Sequence, residues 1–175
     1  SNSDGIANNG TFTNTGNAQI TVDVSLYDGF YNTSAGTATN SNGAVFIAKS
    51  SDDDGIHNDG DFTNDSSASV IIITTLGEGI EATFGSSFSN INGASIRIED
   101  ARADGLENFG TFTNSGAGTT ITIGDSIAAS DDGIFMSGDG IFLHDDLATI
   151  DIVAAGSSGI NIASGGRFTA KADIT

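Results

Sequence analysis

Phe12 stands between Thr11 and Thr13, a polar-apolar-polar triplet whose central, inward position recurs along the chain at Ala38, Phe62, Phe88, Phe112, Phe142 and Phe168. Alternation at every second position is the period of a strand, which sends successive side chains to opposite faces. A short turn later, each triplet is followed by a small residue and alternating aliphatics: AQITV, AVFIA, ASVII, ASIRI, TTITI and ATIDI. These place two more inward columns, Ala18, Ala44, Ala68, Ala94, Thr119, Ala148 and Ala172, then Ile20, Phe46, Val70, Ile96, Ile121, Ile150 and Ile174. A third short strand runs ahead of the triplet through Ile6, Phe30, Ile56, Ile80, Leu106, Ile134 and Ile160.

The strands belong to an internal repeat. DGIANNGTFTNTGNAQITV from Asp4, DGIHNDGDFTNDSSASVII from Asp54 and DGLENFGTFTNSGAGTTITI from Asp104 are near copies, with divergent copies between them and after them. Anchor glycines at 5, 29, 55, 79, 105, 133 and 159 are spaced by 24, 26, 24, 26, 28 and 26 residues, so coils alternate in length and the natural unit is a pair. In copies one, three and five the glycine of the GTFTN element, just before the Phe strand, follows the anchor by five residues. In copies two, six and seven it follows by seven, and in copy four Ser86 takes its place.

Three short strands per copy, turned by Gly, Asn, Asp and Ser, predict an all-β fold: a parallel β-solenoid of about seven coils of 24 to 30 residues each. Stacking at ~4.8 Å gives a rod roughly 30 to 35 Å long. A β-sandwich also accepts short alternating strands, but fixed columns through seven copies favour the solenoid. Residues 1 to 175 read as one continuous array, a segment of a longer array or a filament subunit.

Asn14, Asn40, Asn64, Asn90 and Asn114 follow the Phe strand at a constant offset, with His144 and Ala170 completing the column. An amide carries both donor and acceptor, so inward asparagines can bond from coil to coil while tolerating a left-handed turn backbone. With the Phe12, Phe62, Phe88, Phe112, Phe142 and Phe168 column they form the expected structural ladder.

The repeated GIxNxGTFTNxG and ITI wording resembles the β-solenoid repeats of bacterial secreted adhesins and surface fibre proteins, filamentous-haemagglutinin-like and autotransporter-passenger-like, and the resemblance covers the whole chain. It implies an exported, extended structural or adhesive element at the cell surface, with a surface glycan or receptor among its partners.

Composition narrows the chemistry. There are 24 glycines, no proline, no cysteine, and five Lys plus Arg against 23 Asp plus Glu, a formal charge of -18. Nucleic acid and anionic membrane faces need a cationic surface, so neither is an expected partner, and no stretch is long enough to span a bilayer. No signal-peptide pattern opens the chain. Only His57, placed in a turn, and His144 are available as imidazoles, and no hydroxyl-His-acid arrangement appears, so the chain is not expected to be an enzyme. A polysaccharide lyase or hydrolase would need a clustered groove, whereas Lys49, Arg97, Arg102, Arg167 and Lys171 are scattered. Outward threonine pairs at 11 and 13, 37 and 39, and 111 and 113 suggest an ice-binding face. Asp61, Ser87, Ser89, Ile141, Leu143 and Arg167 break it.

The acidic residues form a column of their own. Asp4, Asp28, Asp54, Glu78, Asp104 and Asp132 each precede an anchor glycine, with Ser158 in the seventh copy, and Asp52, Asp53 and Asp131 extend the column sideways. Asp-Gly is a favoured turn pair whose carboxylate accepts local N–H bonds. Stacked carboxylates ~5 Å apart nonetheless repel by roughly 1 kcal/mol even in water, and a hard cation would remove that cost. Calcium held by Asp28, Asp52, Asp53, Asp54, Glu78, Asp104 and Asp132 between coils is the expected ligand, in a stalk or filament whose open ends continue into further coils or dock head to tail on another copy.

Overall fold

The computed structural model describes residues 3–124, 129–145 and 147–171. The described chain is a parallel β-solenoid without helix, its three strands per coil stacked into three sheets. The first sheet gathers Ile6–Asn8, Phe30–Asn32, Ile56–Asn58, Ile80–Ala82, Leu106–Asn108, Ile134–Met136 and Ile160–Ile162. The second runs from Thr11–Thr15 through Thr37–Ser41, Asp61–Asp65, Ser87–Ile91, Thr111–Ser115 and Ile141–His144 to Arg167–Ala170. The third holds six strands, Gln19–Val22, Val45–Ala48, Ser69–Ile72, Ser95–Ile98, Thr120–Ile123 and Thr149–Ile152. Every pairing is parallel and in register, Phe62 on Phe88 on Phe112, so each residue meets its equivalent one coil away. The expected inward positions Ala172 and Ile174 lie outside the described residues.

In-register stacking makes the core a set of columns. Phe62, Phe88, Phe112, Phe142 and Phe168 stack with ring centroids 4.6 to 5.0 Å apart. Ala38 interrupts this column, and Phe30 and Phe46 from the other two sheets fill the space. Phe30 packs edge-on against Phe12, Phe46 and Phe62. A further column, Val22, Ala48, Ile72, Ile98, Ile123 and Ile152, closes the third sheet against the anchor glycines. A Cβ on Gly55 would lie 2.6 Å from the Gly79 carbonyl oxygen and 2.5 Å from Ile72 Cγ2, which is why the corner admits only glycine.

Polar columns are buried beside the apolar ones. The Nδ2 of Asn14, Asn40, Asn64 and Asn90 each donates to the Oδ1 of the next asparagine at 2.8 to 2.9 Å. The second hydrogen of each amide goes to a backbone carbonyl of the neighbouring coil, that of Val45, Ser69, Ser95 or Thr120. These asparagines sit within extended strand. The left-handed backbone falls two or three residues later, at Gly16 and Asn17, Asn42 and Gly43, Ser66 and Ser67, and Asn92 and Gly93. The ladder and the turn are thus built by separate residues. At the ladder's end Asn114 Nδ2 meets His144 Nδ1 at 3.2 Å. Nδ1 therefore accepts and Nε2 carries the proton, buried without a partner, and burial holds the His144 pKa below its usual range.

A second amide ladder lines the first sheet. Asn8 donates to Asn32 and Asn32 to Asn58, each at 2.8 Å, but coil four has Ala82 at this place and the run breaks. Asn108 in coil five then has a buried Oδ1 that no group reaches. Ser86 explains the gap: a Cβ on the equivalent Gly36 would collide with Asn32 Oδ1, so a side chain at the turn and an amide on the strand exclude one another. Coil four has given up both the asparagine and the glycine.

Two outcomes test these columns. Phe112→Ala should cost about 3 to 5 kcal/mol in chemical denaturation, and Thr113→Ala on the outer face under about 1 kcal/mol. Ala82→Asn alone should destabilise, whereas Ala82→Asn with Ser86→Gly should stabilise by about 1 to 2 kcal/mol, because the buried Asn108 oxygen then gains its donor.

Candidate functional site

The acidic column lies at the corner where each coil enters the first sheet, and its carboxylates turn inward rather than towards solvent. Asp28, Asp54, Asp104 and Asp132 are all buried. Each uses Oδ1 to accept the backbone N–H of its equivalent in the next coil. Asp28 takes that of Asp54 at 3.2 Å, Asp54 that of Glu78 at 2.9 Å, Asp104 that of Asp132 and Asp132 that of Ser158, both at 2.8 Å. The bond is therefore made between coils, not within the turn. Glu78 and Asp4 are half-buried, while Asp52, Asp53 and Asp131 are exposed on the turn before the column.

Around the stretch 51 to 65 the charges are compensated from within. His57 lies in a strand of the first sheet, not in a turn, and its ring projects outward among carboxylates. Nδ1 is 2.7 Å from Glu81 Oε2 and 3.2 Å from Asp54 Oδ2, and Nε2 is 3.3 Å from Asp59 Oδ1. Tyr31 stands edge-on to the ring at 5.2 Å and donates to Asp59 at 2.8 Å, and Thr83 donates to Asp59 at 2.6 Å. Burial alone would lower the imidazole, but the bonds to Asp54 and Glu81 and the surrounding negative charge push it up to about 11, so it is a cation at neutral pH. The register that brings Glu81 beside His57 pairs residues 24 apart and is not apparent from either residue's neighbours in sequence.

One coil further along, compensation stops. The outward column continues from Glu81 to Glu107, and Glu78, Asp104, Asp131 and Asp132 lie close by. Carboxylate oxygens of Asp104, Asp131 and Asp132 come within 4.8 Å of one another, as do ligand atoms of Asp28, Asp54 and His57. Lys49 pairs with Asp23 and Arg97 with Glu99, both away from this corner. The titration of the group follows. Burial, with the charges of Glu78, Glu81 and Asp104, pushes Glu107 up to about 7. Burial likewise pushes Asp28 and Asp104 up to about 6 and Asp54 to about 8, the last against the hydrogen bond from His57. Asp132, despite burial, is held below the usual carboxylate range by bonds from Asn161 and Ser158.

The sequence singled out the column but missed His57, Glu81 and Glu107 as members of the same corner. Chemically the corner can hold protons or cations. The His57 ring nitrogens meet carboxylates, and His144 is enclosed in the core. Compared with models of protein families, with curated proteins and with solved structures, the chain matches none.

The shifts fix the sign of a pH dependence. A carboxylate whose pKa is higher folded than unfolded binds more protons in the folded state, so its penalty grows as pH rises from about 4 through the folded value. For Asp28, Asp104, Glu107 and Asp54 that window closes at about 6, 6, 7 and 8. His57 acts in the same direction between its unfolded value and about 11, while His144 opposes it below about 6.5. The melting temperature should therefore rise when pH is lowered from 8 to 5, and Glu107→Gln should reduce the rise; thermal scans across that range measure both.

Proposed function

We propose that the chain is an extracellular structural segment, a stalk or filament element of the cell surface. The observation that carries this reading is stacking along one axis: the backbone ladders run from coil to coil through all three sheets, and the amide ladders, the Phe stack and the acidic cap bond in the same direction over runs of coils. Such an array resists extension through many parallel hydrogen bonds, while a surface with 23 acidic residues discourages lateral sticking. Parallel strands stacked in register along one axis suit further coils of the same kind or another copy as axial partner. The outer face of the second sheet carries the threonine pairs interrupted by Asp61, Ser87, Ser89, Ile141, Leu143 and Arg167, which does not favour an ice-binding plane.

Calcium enters as a stabiliser of this element. The set Asp104, Asp131 and Asp132 offers three carboxylates and no internal cation, which suits a hard oxygen-seeking ion, whereas His57 already neutralises the Asp28 and Asp54 set. Oδ1 of Asp104 and Oδ1 of Asp132 are engaged by backbone N–H groups, leaving Oδ2 of Asp104 and the Asp131 carboxylate as the open ligands.

Labelling of intact producing cells with an antibody to the segment tests location. Signal without permeabilisation is expected, and signal only after it would end the extracellular reading. For calcium, millimolar CaCl2 should raise the melting temperature more than an ionic-strength-matched sodium salt, and Asp131→Asn should remove that excess. Equal effects of the two salts would leave only screening.

A further inference from the structure

The repeat provides its own template, and one corner departs from it three times in consecutive coils. Between the first and second sheets, coils two, four, six and seven turn through four residues, Thr33–Gly36, Thr83–Ser86, Ser137–Gly140 and Ala163–Gly166, each closed by a bond from the fourth N–H to the first carbonyl. The second position of that turn is Ser34, Gly138 or Ser164 in three of them and Phe84 in coil four. Gly85, with φ of +84°, supports the turn, and the Phe84 ring is 76% exposed, so the fold does not require it. In the short turns of coils one, three and five the residue after the strand is Asn9, Asp59 and Phe109. In the outward column of the first sheet, after Ala7, Tyr31, His57, Glu81 and Glu107, comes Phe135.

The three rings are brought to one place. Phe109 and Phe135 are 6.4 Å apart, edge to face. Because coil five turns two residues earlier than coils four and six, its turn forms the floor of a groove lined by Phe84, Ser86, Phe109, Gly110, Thr111 and Asp139. The groove's rim is acidic: Asp139 is exposed on one side, and Glu107 is registered beside Phe135 with Glu81 behind it. The Lys49–Asp23 and Arg97–Glu99 pairs lie elsewhere.

The geometry points to this groove as a docking surface for an extended basic polypeptide segment, whose Lys or Arg side chains lay their stems on Phe84 and Phe109 and set their charges against Asp139 and Glu107. Exposed aromatic faces attract cations, and the unpaired carboxylates supply the complementary charge. A second copy of this chain is disfavoured as occupant, since it would bring a charge of -18 to an acidic rim. The inference stands apart from the stalk reading, because it rests on the groove alone.

The test uses the full 175-residue chain, labelled for NMR, titrated with a blocked Gly-Arg-Gly-Arg-Gly-Arg peptide at near-physiological salt. Shifts are expected at Phe84, Phe109, Gly110 and Phe135, and the citrulline counterpart of the peptide should not produce them. Phe84→Ser with Phe109→Asn installs residues that other coils hold in these turns, and should weaken binding roughly ten-fold. Phe84→Ser alone serves if the pair fails to fold. Glu107→Gln should weaken binding more than Asp151→Asn, which removes an equal charge from the third sheet. Unchanged affinity in the Phe variants would reduce the interaction to diffuse attraction by net charge and overturn the proposal. Equal binding of the citrulline peptide, or the same shifts produced by maltohexaose or by raising the protein concentration alone, would overturn it as well.

Discussion

Parallel stacking in register obliges each side chain to meet its own equivalent above and below. Residue types answer this constraint differently. Phenylalanine satisfies it by ring stacking, and asparagine by an amide that donates upward and accepts from below. Aspartate cannot satisfy it, because like charges repel in the medium where burial makes the repulsion strongest. Here the buried aspartates are placed so that each Oδ1 faces a backbone N–H of the next coil rather than another carboxylate.

That solution leaves the second oxygens to be dealt with, and the coils differ in how they do it. In coil three His57 supplies a cation held by Asp54, Asp59 and Glu81. In coil seven Asn161 donates to Asp132 at 2.7 Å. Between them, around Glu107 and Asp104, neither device is present, and those carboxyls take up protons more readily than usual. The carboxylates that lack either device thus fall in the coils that also carry Phe84, Phe109 and Phe135.

A repeat also turns substitutions into information. Ala82 and Ser86 change together because the amide and the turn side chain compete for one space, and Asn108 shows the cost as an unpartnered oxygen. Ala38 is tolerated because Phe30 and Phe46 are enlarged around it. Phe84 has no such compensation: nothing in the packing calls for a ring there, which separates it from the structural departures.

By itself the sequence determined the solenoid, its coil lengths, and which residue of each strand faces the core, since period-two alternation and a repeat of constant columns leave one arrangement that buries the recurrent Phe and Ile columns. The Asn14 to Asn114 column and the acidic column were legible for the same reason: the first recurs at a fixed offset from the Phe strand and the second immediately before each anchor glycine. Only the tertiary structure decided what those columns do. Whether an aspartate binds within its turn or across coils depends on the direction in which the corner turns its side chain, which composition does not encode. The joining of His57 to Glu81, the loss shared by Ala82 and Ser86, and the meeting of Phe109 with Phe135 all link residues on adjacent coils or across a turn. These contacts are set by strand register and turn length, which act only once the coils are stacked.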